Sequence, residues 1–87
     1  MSADLLVEGV GWLGGVLILA AYGLLTAGKL DADSWIYQAA NVVGALGFIA
    51  NGWWHKALPS TVLNVIWAGI GAVALIRILA KSRASRA

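Results

Sequence analysis

A chain of 87 residues that is 61% hydrophobic and only 11% charged has too little polar surface to cover a water-soluble domain, and it is too short for two domains. It belongs by composition to the membrane class, and with no cysteine and one histidine it offers no disulfide framework, no thiol nucleophile and no metal site, so no cofactor is expected. The net charge of +2 comes mainly from the C-terminal tail, which reflects membrane topology better than nucleic-acid binding, so no nucleic-acid partner is expected.

The chain opens with Asp4 and Glu8 and has no Lys or Arg before Lys29, the reverse of a secretory signal, so the first segment is expected to be retained. Residues 9–28 carry no charge. About twenty residues at about 1.5 Å each cross a hydrocarbon core, which predicts a first spanning helix. Lys29, Asp31 and Asp33 make a short polar connection, and Asp33 or Ser34 suits the N-cap of a second helix. The uncharged runs 34–54 and 57–76 are each again about one bilayer long. The reading is a single all-α transmembrane domain of three helices, closed by a basic tail over 77–87.

Between the second and third helices, Gly52 is expected to relieve the backbone at a helix end, Trp53 and Trp54 to settle at an interface, and His55 and Lys56 to form the polar tip. Pro59 fits a first helical turn, where its missing N–H has no partner to lose. Arg77, Lys81, Arg83 and Arg86 outweigh Lys56, so positive-inside reasoning puts the C-terminus and first loop in the cytoplasm and the N-terminus and hairpin outside.

Lipid removes most of the hydrophobic drive for helices to associate, and small residues must allow close packing instead. Gly11-x-x-x-Gly15, Ala40-x-x-x-Gly44 and Ala68-x-x-x-Ala72 each place two on one face. Polar residues inside the spans say more, because an unpaired amide in hydrocarbon is costly. They are Tyr22, Gln38, Asn41, Asn51 and Asn64. Gln38, Asn41, Ala45 and Phe48 share a stripe of helix 2, and Asn64, Trp67 and Gly71 share one of helix 3.

Asn41 and Asn64 lie roughly 4–5 Å to either side of the midplane, counted from the span centres. They read either as interhelical glue or as the lining of a small polar cavity, with Trp67 or Phe48 as its apolar face. Trp12, Trp35, Trp53 and Trp54 sit near span ends as anchors, whereas Trp67 lies mid-span. Glu8 is explained by the helix dipole and solvation, and His55 by a solvated loop. Gly9-x-Gly11-x-x-Gly14 matches a dinucleotide fingerprint in letters only, since it follows no strand. No nucleophile–base pair or carboxylate dyad can be assembled, so the chain is not expected to be an enzyme.

The segment from Gly52 to Asn64, with Lys56, Leu58-Pro59 and an Asn five residues after the Pro, resembles the second hairpin of the SemiSWEET sugar transporters in the PQ-loop superfamily. The likeness extends from Gly11-Trp12 through Ser34 to the basic tail. The chain also resembles a group of small bacterial membrane proteins carrying Tyr37-Gln38-x-x-Asn41 and Leu58-Pro59-Ser60. The resemblance implies a SemiSWEET-like three-helix bundle in the bacterial inner membrane, paired as a parallel homodimer around a central path. Asn64 then matches the family's substrate-contacting Asn, and Phe48 stands where the family carries a Trp. Pro59 is the sole proline, so helix 1 lacks the family's Pro-Gln hinge and carries Ala21-Tyr22-Gly23 nearby.

Two functions follow as expectations. The first is a dimeric transporter or facilitator of a small polar solute such as a sugar, bound by Asn64, Phe48, Trp67 and Asn41. The second is a structural or accessory subunit packing against itself or a larger membrane complex.

Overall fold

In the computed structural model, residues 2–86 are described, with side chains through Arg83. They form three helices, α1 (Ala3–Thr26), α2 (Trp35–Trp54) and α3 (Leu58–Arg86). The start of α1 is fixed by Ser2, extended at φ −74° and ψ 156°, whose side chain accepts a hydrogen bond from the Leu5 N–H at 3.2 Å. Asp4 in the first turn complements the positive end of the helix dipole. Gly28, at φ 77°, ends α1: its N–H bonds the Leu25 carbonyl at 3.1 Å and the Lys29 N–H bonds that of Leu24 at 2.9 Å. That paired closure satisfies carbonyls the helix leaves open.

Ser34 is the N-cap of α2, but its side chain makes no capping bond. The connection is tied down instead by Gln38, whose Nε2 donates to the Ala32 carbonyl at 2.8 Å. The far end of α2 repeats the closure of α1, with Lys56 bonding Trp53 at 3.1 Å and Ala57 bonding Gly52 at 2.8 Å. Here the left-handed residue is Lys56, at φ 56°. This corrects the expectation for Gly52, which lies within α2 and is buried against α3: a Cβ there would stand 2.5 Å from Thr61 Oγ1. Close approach, not backbone relief, is what its missing side chain permits.

Pro59 sits in the first turn of α3, and Thr61 uses both its N–H and its hydroxyl on the Ala57 carbonyl, each at 2.9 Å. The helix continues past Ile76 through the basic residues.

The three helices form a row with α2 in the middle. Among the described residues no Cα of α1 comes within 8 Å of one of α3. Gly44, Gly47, Phe48 and Asn51 meet α1, while Gln38, Asn41, Val42 and Gly52 meet α3. The α1–α2 seam is nearly backbone on backbone. A Cβ on Gly14 would lie 2.6 Å from the Gly44 carbonyl oxygen, and one on Gly47 would lie 2.8 Å from that of Val10. Such approach is what small residues provide where helices are held by van der Waals contact.

Large apolar side chains point outward along the whole row, among them Leu13, Leu19, Leu63, Ile70 and Ile76. Two helices, α1 and α3, are long and apolar enough to cross a membrane. Only 17% of the apolar window of α1 and 11% of that of α3 is buried, whereas the core helix of a water-soluble bundle is mostly buried. α2 is not one of those two, since Gln38, Asn41 and Asn51 interrupt its apolar sequence, and each of these amides is hydrogen-bonded within the protomer.

Candidate functional site

Asn41 is the best-integrated polar side chain in the row. At 5% exposure it donates from Nδ2 to the Tyr37 carbonyl at 2.8 Å and accepts at Oδ1 from Trp67 Nε1 at 3.2 Å. The Tyr37 bond uses the spare capacity of a carbonyl on the same helix, and the Trp67 bond joins α2 to α3. Two of the four residues read from the sequence as substrate-binding are thus brought together directly.

Asn64 is half-buried on α3 and donates from Nδ2 to the Ser60 carbonyl at 2.9 Å, a bond within its own helix. Its Oδ1 accepts no hydrogen bond from the described residues. Phe48, the fourth residue, packs on the other seam, where its ring meets the open side of Gly15.

Phe48 there lines a groove of about 440 Å³ between α1 and α2, together with Gly11, Trp12, Gly15, Asn51 and Glu8. Gly11 and Gly15, one turn apart, leave the space, Trp12 and Phe48 supply aromatic faces, and Glu8 and Asn51 are polar groups toward the hairpin end. Asn51 Nδ2 donates across the seam to the Val7 carbonyl at 3.1 Å. Beside it Trp54 Nε1 donates to Asp4 Oδ1 at 2.9 Å, and His55 Nε2 lies 3.6 Å from Glu8 Oε2. These three contacts clamp the start of α1 to the end of α2. The groove did not emerge from the sequence because Glu8 and Trp12 each have a sufficient local explanation, and Asn51, though singled out as a polar residue within a span, has no partner that spacing alone reveals. The available signal was the Gly11/Gly15 pair, which marks a face where a cleft can form.

The groove offers aromatic faces, an amide and one carboxylate. Among the described residues no three of His, Cys, Asp and Glu gather where a metal could be held. The fold therefore defines an all-α chain with two membrane-length apolar helices and an aromatic groove beside its central helix. A family model matches residues 7–83, and the chain belongs to that family, one of unknown function. No curated protein and no solved structure matches the chain.

Proposed function

We propose that the chain is a small integral protein of the bacterial inner membrane, working as a SemiSWEET-like parallel homodimer that moves a small polar solute such as a sugar. All three helices cross the bilayer, with the N-terminus outside and the basic tail in the cytoplasm. The outward-facing apolar side chains support insertion, and the excess of Lys and Arg in the tail supports the orientation. Asn64 carries the solute reading: a membrane amide with a free carbonyl oxygen on an open row of helices is available to a ligand or a second protomer. The groove at Phe48 and Trp12 has a volume within the range of small-molecule sites, roughly 300–1,000 Å³.

An accessory subunit is the second reading. It is favoured by the internal use of the Asn41 amide and by Gly9, Gly23 and Gly69, which have nothing packed within 4 Å. Those positions offer close approach to foreign helices.

Proteoliposome flux with a panel of labelled sugars and other small polar solutes separates the two. The wild type is expected to move at least one solute, and Asn64→Leu to abolish that flux with the dimer intact by mass in nanodiscs. A monodisperse monomer removes the dimer. Absence of flux and binding across the panel, with stoichiometric co-purification of another membrane protein, establishes the accessory role.

A further inference from the structure

The geometry points to a binding site for an anionic phosphate group, the phosphodiester of a membrane lipid or a free phosphate, at the end of the molecule opposite the hairpin. A cleft of about 630 Å³ opens there between the connection after α1 and the last turns of α3. Asp33 and Gln38 line one side, and Ala74, Arg77, Lys81 and Ser82 the other. With Ile78, which also lines the cleft, the α3 residues make two interleaved rows, Ala74-Arg77-Lys81 at spacings of three and four and Ala74-Ile78-Ser82 at four, so they form one stripe facing the connection.

Arg77 and Lys81 stand one turn apart on that stripe, a like-charge spacing that destabilises a helix unless an anion offsets it. Among the described residues neither cation lies within 4 Å of a carboxylate. Asp33 shares the cleft, but one acid against two bases leaves it positive. A guanidinium fork, an ammonium and the Ser82 hydroxyl together match the acceptor oxygens of a phosphate. The facing wall is held by the bond from Gln38 Nε2 to the Ala32 carbonyl at 2.8 Å. The cleft begins where the apolar run ends at Ile76, so if the membrane reading above holds, on which the lipid source rests, it opens at headgroup level.

Native mass spectrometry of the full chain in mild detergent tests this, with phosphatidylglycerol and phosphatidylcholine offered in equal amounts and inorganic phosphate in a separate arm. The wild type is expected to retain phosphatidylglycerol over phosphatidylcholine, and Arg77→Gln with Lys81→Gln to cut that retention about tenfold. Lys29→Gln and Arg83→Gln, which change charges outside the cleft, should leave it unchanged. Retention of inorganic phosphate that the double variant loses, without preference between the lipids, supports the site with free phosphate as its ligand. Equal retention of both lipids with no phosphate bound overturns the proposal, as does an equal loss in all the charge variants. Carbonate extraction of cell membranes is read separately: release of the protein sinks the membrane reading, while the phosphate arm still decides the cleft.

Discussion

A lysine holds the left-handed turn between α2 and α3, a backbone state in which an L side chain costs roughly 1–2 kcal/mol. Lys56→Gly is therefore expected to stabilise the protein by about 1 kcal/mol after allowing for the freer unfolded chain, measured as a rise in the midpoint of detergent-induced unfolding. An unchanged or lowered midpoint would show that the lysine side chain repays its own strain. The Asn41–Trp67 bond gives a second residue-scale expectation. A double-mutant cycle with Asn41→Leu and Trp67→Phe should return a coupling of roughly 0.6–1.7 kcal/mol, the range for side-chain bonds between membrane helices. Zero coupling would mean that the two side chains are neighbours without an energetic link. Neither residue's role followed from its identity. Glycine is the usual occupant of a left-handed position, but Gly52 is committed to the close approach of Thr61, and the left-handed residue is Lys56, four positions on.

At the scale of the helices, the three elements were legible because each is an uncharged run bounded by turn chemistry. The connection through Lys29 and Asp33 and the Pro59 start both appear where those signals lie. The pairing was not legible. Spacing identifies a face of small residues but not its partner, and the closest approach to backbone atoms joins Gly14 to Gly44 and Gly47, not the expected pairs alone. The length of α3 was also hidden, since Arg and Lys are good helix formers and nothing in the tail breaks the helix after the apolar run. Gly14→Ala should force α1 away from a backbone carbonyl that cannot yield, at a cost of about 1–3 kcal/mol. Gly69→Ala, with open space around it, should leave the α1–α2 pairing unchanged. Disulfide trapping between cysteines placed on α1 and α2 reads both variants, and equal trapping in the two would refute the backbone-contact account.

For the whole molecule, the proposed orientation makes a direct prediction. A cysteine at Ala3 should react with an impermeant thiol reagent in intact cells, and one at Arg83 should react only after permeabilisation; the opposite pattern inverts the topology. The long axis of 48 Å is close to the full thickness of a bilayer with its headgroup regions, roughly 40–45 Å, so in the proposed orientation the hairpin and the basic end of α3 meet water. The candidate site is less legible at this scale than the fold, because Phe48 and Trp12 belong to different helices and share a groove only once their register is set. The middle position of α2 has a mechanical consequence. Among the described residues no Cα of α1 comes within 8 Å of one of α3, so each outer helix is held chiefly through α2, and losing one leaves the other's seam with α2 in place. Pulled from its C-terminus, a single protomer should yield in two separate force steps, the first extracting α3 and the second breaking the surviving α1–α2 hairpin.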